Sequence, residues 1–79
     1  MDNLWQDPLE FPGNTLEEMM ADRKISANIL SEKTNYSVGY IIGVIQGHNL
    51  IEKDFAKQLQ ANGLATKAFW IRLQNLELK

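Results

Sequence analysis

The stretch SANILSEKTNYSVGYIIGVIQG, residues 26–47, decides the fold. Ser26 is a strong N-cap for a helix running through Lys33, with Ile29 and Leu30 at its apolar positions. Asn35 stands where the chain has to turn, and asparagine takes a positive φ better than any residue but glycine. Ser37 caps a further helix, Val38 to Gln46, closed by Gly47, with Tyr40, Ile41, Val44 and Ile45 on its core face. Gly39 and Gly43 inside that helix each cost roughly 1 kcal/mol against alanine, so tertiary packing must hold it. Two short helices over a three- or four-residue turn make a helix-turn-helix. The motif needs a small residue where the helices cross, a turn residue tolerant of positive φ, and apolar residues around both. Ser31 supplies the first, Asn35 the second, and Leu30, Tyr36, Ile41 and Val44 the third. On spacing alone, another kind of small helical bundle also meets these demands.

Residues 1–12 hold both prolines, Pro8 and Pro12, and mix acidic with apolar side chains. They read as an extended arm, since a residue before proline avoids the α region, or else as a disordered tail. Trp5, Leu9 and Phe11 suit an arm that packs on something. From Pro12 onward the period is helical: Leu16, Met19, Met20 and Arg23 share a face, Asn14 or Thr15 can cap, and Lys24-Ile25 ends the helix. Glu17 and Glu18 in its first turn complement the helix dipole. Beyond the loop His48-Asn49-Leu50, a fourth helix is expected from Glu52 to Ala61, turning Phe55, Ala56 and Leu59 inward. Asn62-Gly63 stops it. Thr66 caps a fifth helix, Lys67 to about Leu78, with Phe69, Leu73 and Leu76 on one face and Trp70 beside them. Nothing alternates as a strand does, so the expected fold is all-α: an arm over residues 1–12 and one five-helix domain over 13–79.

Composition narrows the function. Seventy-nine residues, 44% apolar and 23% charged, allow one small globular domain. The absence of cysteine excludes a disulfide framework, a thiolate metal site and a cysteine nucleophile. No apolar run approaches the 18 or so residues of a membrane span, and Met1-Asp2-Asn3-Leu4-Trp5 lacks the apolar stretch of a signal peptide, so the cytoplasm is the expected location. A net charge of −2 argues against a strongly basic nucleic-acid footprint.

Two further stretches, one at each end, sharpen the assignment. Phe11-Pro12-Gly13-Asn14-Thr15-Leu16 and Phe69-Trp70-Ile71-Arg72-Leu73-Gln74 flank the motif, with Ile51, Asp54, Ala56 and Leu59 between. With Ile25-Ser26, Leu30, Ser37, Ile41, Val44-Ile45 and Gly47, this pattern resembles the Xre/lambda-repressor-like family, nearest to its HigA/VapI antitoxin branch. That branch opens on His-Pro-Gly-Glu-x-Leu and ends on Phe-Trp-x-x-Leu-Gln. The resemblance runs without a gap from about Phe11 to Leu78. It implies a five-helix lambda-repressor-like domain that dimerises, reads operator DNA through its third helix, represses its own operon and neutralises a RelE-like ribonuclease toxin. Related domains also serve as phage regulators.

The departures cluster where DNA would be touched. Ala27 stands where the family often has Gln, and Ala cannot bond a phosphate or brace a base contact. The outward positions of the third helix are Ser37, Val38, Gly39, Ile42, Gly43 and Gln46, of which only Ser37 and Gln46 can hydrogen-bond DNA. Val38 and Ile42 can meet thymine methyls. His48 replaces the usual Lys or Arg after the glycine, so phosphate contacts rest on Lys33, Lys53 and Lys57, with Arg23 and Lys24 in reserve. The expected DNA-binding set is therefore Ser37, Val38, Ile42, Gln46, Lys33, Lys53 and Lys57. Contacts to a dimer mate or another partner are expected from Trp5, Leu9, Phe11, Phe69, Trp70 and Leu73.

An apolar outer face with glycines between its side chains also suits protein contact. A degenerate helix-turn-helix serving as an interaction module, a phage-type regulator or inhibitor with weak or no DNA binding, therefore stands beside the antitoxin and repressor reading. No nucleophile–base pair, phosphate-cradling glycine loop or paired-carboxylate cleft is present, and the single histidine, His48, has no companion ligands. No enzyme, cofactor or metal is expected, and no membrane partner.

Overall fold

The computed structural model of the protein describes residues 4–6 and 11–78. Five helices follow one another: α1 Pro12–Arg23, α2 Ala27–Thr34, α3 Val38–Ile45, α4 Lys53–Ala61 and α5 Lys67–Glu77. Three of them start where a hydroxyl was expected to cap. The side-chain oxygens of Ser26, Ser37 and Thr66 accept from the N–H groups of Ile29 (3.2 Å), Tyr40 (3.0 Å) and Phe69 (3.1 Å). Asn35 takes the left-handed conformation that closes α2, at φ 64°.

α1 begins differently. Neither Asn14 nor Thr15 caps it; Phe11 is the extended residue before it, and Pro12 is its first helical residue. Proline's φ is already helical and it has no N–H to leave unpaired, so the helix starts without a side-chain cap. α4 begins one residue later than expected, with Glu52 as its extended N-cap. α3 ends at Ile45, and Gln46 becomes its cap.

The core gathers Leu16 and Met20 from α1, Leu30 from α2, Ile41 and Val44 from α3, Phe55, Ala56 and Leu59 from α4, and Trp70 from α5. Those of α1 to α4 follow from helical periodicity in their own segments. Gly13 makes the α1–α3 contact possible: a Cβ there would collide with the carbonyl of Val44, so only glycine lets the first turn of α1 approach the end of α3.

α5 is rotated from expectation. Trp70 and Gln74 face inward, Leu73 is half-buried, and Phe69 and Leu76 are exposed. The reason is polar satisfaction rather than apolar period. The Trp70 indole N–H donates to the Leu64 carbonyl at 2.6 Å. One turn on, the Gln74 amide accepts from the Ile51 N–H at 2.7 Å and donates to the Ile51 carbonyl at 3.1 Å. A glutamine thus closes a two-bond clasp on the loop between α3 and α4.

The described part of the N-terminal arm, residues 4–6, packs on its own chain. Trp5 is 2% exposed, its indole N–H donates to the Gly47 carbonyl at 3.1 Å, and its ring stacks on Phe11 at 6.1 Å. It pairs with Leu78 as an isolated antiparallel bridge, and the Gln6 N–H donates to the Glu77 carbonyl at 2.7 Å. The start of α1, the end of α3 and the end of α5 meet around this one indole.

Candidate nucleic-acid interface

α2 and α3 are joined by three residues, Asn35, Tyr36 and Ser37. Side chains as well as backbone hold this turn. Ser31, placed where the helices cross, donates its hydroxyl to the Tyr36 carbonyl at 2.6 Å. Thr34 is buried; its hydroxyl donates back to the Leu30 carbonyl at 2.8 Å and accepts from the Tyr36 N–H at 3.3 Å. Thr34 was not foreseen from the sequence, because a threonine at a helix end reads as solvated until its burial is known.

The far end of the motif is fixed to α4 by aromatic rings. Tyr36, Tyr40 and Phe55 form a three-way cluster with centroids 4.9–5.1 Å apart. The Tyr40 hydroxyl donates to the Leu50 carbonyl at 2.7 Å and accepts from the Glu52 N–H at 3.0 Å. The Tyr36 hydroxyl donates to Asp54 at 3.2 Å and to Glu52 at 3.5 Å. Desolvation first, then the charge of Asp54 and its hydrogen bond, then the charge of Glu52, push the Tyr36 phenol up to about 12. Tyr40 is also raised, chiefly by desolvation, although the Glu52 N–H works the other way. Both phenols therefore remain proton donors throughout the neutral range.

The surface of α3 left open is a narrow stripe. Val38 is half-buried, while Gly39, Ile42 and Gln46 are exposed, Ile42 at 40%. A Cβ on Gly39 would have only the Ser37 oxygen near it, at 4.0 Å, so the backbone itself forms the surface there. Gly43 does not contribute to a flat patch as expected: it is buried, covered by the Asn49 side chain, which donates to the Tyr40 carbonyl at 3.3 Å. Ser37 is exposed; its oxygen serves as the cap of α3, and its proton is left to donate outward.

The expected phosphate lysines are all at the surface. Lys33 lies in the last turn of α2, and Lys53 and Lys57 sit one turn apart on α4. The Asn62 amide reaches the Lys33 carbonyl at 3.5 Å, which draws the ends of α2 and α4 together. Lys53 stands between Glu52 and Asp54, the two carboxylates gathered by Tyr36. Their charge opposes that of Lys53 at the start of α4.

Of the residues expected to meet a partner, Trp5 and Trp70 are buried within the chain. Phe11 and Leu73 are half-buried, Phe69 is 38% exposed, and Leu9 lies outside the described residues. Leu76, not among the expected contacts, is 66% exposed, and with Ala68, Ile71, Arg72 and Asn75 it lines an open groove along α5. Among the described residues, no three His, Cys, Asp or Glu side chains converge as a metal site, and no helix is long and apolar enough to cross a membrane.

Five helices with α2 and α3 crossing over a three-residue turn define a helix-turn-helix domain. No family model matches the sequence, and no curated protein matches it. Solved structures do. An addiction module antidote protein of the HigA family from Coxiella burnetii is 28% identical, with a TM-score of 0.73 over 89% of this chain and 76% of that one. The antitoxin HigA of Pseudomonas aeruginosa, solved with the higBA promoter, is 24% identical, with a TM-score of 0.78 over 87% and 75%. A second Pseudomonas aeruginosa protein, in complex with its 18-bp operator DNA, is 24% identical, with a TM-score of 0.77 over 87% and 74%. The protein shares the fold of HigA antitoxins along nearly its whole described length.

Proposed function

We propose that this chain is a small HigA-like antitoxin and DNA-binding regulator of the Xre type, which represses its own operon and neutralises a RelE-like toxin. The observation that carries the reading is the shared fold: two chains that match it at TM-scores of 0.78 and 0.77 were solved on promoter or operator DNA. In this reading Ser37, Val38, Ile42 and Gln46 face the major groove, and Lys33, Lys53 and Lys57 meet phosphates. A homodimer presents two such helices to two half-sites. The exposed face of α5, with Phe69, Leu76 and part of Leu73, is the surface for a dimer mate or toxin. No catalytic group enters the reading.

A fluorescence polarisation titration tests it, using the DNA upstream of the chain's own coding region at low salt. Saturable binding that weakens in Gln46→Ala supports the reading, and no binding at low salt overturns it.

A second reading draws on the same stripe. Ile42 is apolar and exposed, and α3 carries no charge, which suits a protein partner held by a degenerate helix-turn-helix. Ile42→Asp then abolishes partner capture while the domain stays folded. Retained capture by folded Ile42→Asp protein removes this alternative.

A further inference from the structure

We infer that the chain selects its DNA site through the C5-methyl groups of thymines, read by Val38 and Ile42, with Gln46 as the only amide reader of a base edge. The inference rests on the reading of α3 as the helix that faces DNA, and it names the sequence class which that helix can recognise. Direct readout of guanine uses the guanidinium or ammonium of Arg or Lys on O6 and N7, and cytosine is read by carboxylates. Neither side-chain type occurs between Val38 and Gln46. Ser37 already accepts from the Tyr40 N–H as the cap of α3, which leaves its hydroxyl one proton and one lone pair and ties its oxygen to the helix end. Tyr40 has its hydroxyl engaged with Leu50 and Glu52. The groove-facing chemistry that remains is two branched apolar side chains, one carboxamide and, at the helix start, the Ser37 hydroxyl, which pairs with any base that offers an acceptor and so discriminates little. In the major groove the apolar pair and the carboxamide match the thymine methyl and the N6/N7 edge of adenine.

The backbone supports the same assignment. Val38, Ile42 and Gln46 are four residues apart and lie along one side of α3 and its cap. At 1.5 Å rise per residue they span about 12 Å, which is three to four base-pair steps. Gly39 projects nothing beside Ile42, and a Cβ there would have only the Ser37 oxygen near it, at 4.0 Å, so the groove edge can approach until the isoleucine touches a base. With few cations on α3's surroundings, and with Lys53 opposed by Glu52 and Asp54, discrimination falls to this apolar contact. Each methyl removed from such a contact weakens binding about fourfold, the transfer free energy of one buried methylene-sized group.

The test uses the full chain and 20-bp duplexes enriched by it from a random pool. The enriched duplexes are resynthesised with deoxyuridine in place of every thymidine, which removes only the C5-methyl groups. The expected result is a thymine-bearing half-site whose affinity drops about fourfold for each contacted thymine replaced. Ile42→Ala, a change at an exposed position, removes most of that difference while circular dichroism stays unchanged. Equal affinity for the thymidine and deoxyuridine duplexes overturns the inference and leaves the DNA-binding reading intact. So does a half-site of G·C pairs alone, or a deoxyuridine effect as large in Ile42→Ala as in the parent. Failure to enrich any duplex overturns the DNA-binding reading and the inference together.

Discussion

Replacing Gln74 by leucine keeps the size of a buried side chain and removes both of its hydrogen bonds. The Ile51 N–H and carbonyl, paired now at 2.7 Å and 3.1 Å in a buried site, are then left without their partner. An unsatisfied buried group costs about 1–3 kcal/mol, so the pair is worth roughly 2–6 kcal/mol. A domain of this length holds roughly 4–12 kcal/mol in total. The midpoint of thermal unfolding should therefore fall by at least about 8 °C, and by several tens of degrees at the upper end, and urea unfolding should show the same loss in free energy. Gln74→Glu sharpens the test. Its carboxylate accepts from the Ile51 N–H but cannot donate to the carbonyl, so burial and the facing oxygen raise its pKa in the folded state. A folded-state carboxyl with a raised pKa binds more protons than the unfolded chain, so stability falls as pH rises above about 4.3. The glutamate variant is expected to be more stable near pH 4.5 than near pH 7, relative to the leucine variant as its control. A leucine variant within about 0.5 kcal/mol of the parent, or a glutamate variant with no such pH dependence, would refute the clasp.

Three other outcomes are expected. Gly13→Ala drives a methyl group into the Val44 carbonyl and should destabilise by about 1–3 kcal/mol, measured by urea unfolding; an unchanged midpoint would show that α1 shifts freely. The Tyr36 phenol, held up to about 12, keeps its proton in the folded chain beyond the unfolded value of 10.0, so it stabilises the fold fully below pH 10 and loses that contribution as pH rises through about 12. Phenolate absorbance of the parent against Tyr36→Phe measures this, and a Tyr36 signal appearing at pH 10 counts against the Asp54 contact. Binding to operator DNA should depend weakly on salt: three lysines give a log–log slope of about −3 per chain, and a slope steeper than about −6 per chain would require cations beyond Lys33, Lys53 and Lys57.

The elements that depend on neighbouring residues were legible in the sequence. Hydroxyl caps at Ser26, Ser37 and Thr66, the left-handed turn at Asn35 and the inward face of α4 are set within one or two helical turns; in α2 Leu30 is buried as expected, whereas Ile29 is 41% exposed. What escaped depends on partners far along the chain. Gln74 looks like a solvated residue until Ile51, 23 positions away, is seen to meet it. Apolar spacing in α5 put Phe69, Leu73 and Leu76 on one face with Trp70 beside them, and gave no sign that Trp70 and Gln74 are the residues turned inward. Trp5 offered a large ring to an unknown surface, and its partners, Gly47 and Leu78, lie at other corners of the fold. At the candidate interface, the lack of charge on α3 and the carboxylates beside Lys53 were visible at once, whereas the approach of Tyr36 to those carboxylates and the cover over Gly43 became apparent only in three dimensions.

The bridge between Trp5 and Leu78 sets two residues near opposite ends of the chain side by side. Between them the helices close a ring of contacts, α1 on α3, α3 on α2, α2 on α4, α4 on α5 and α5 on α1. A short linker joining Trp5 to Leu78, with a new opening at the Asn62–Gly63 turn between α4 and α5, would leave every helix and the whole α2–α3 motif uninterrupted. The ring would survive such a cut because its order in space is not the order of the helices along the chain.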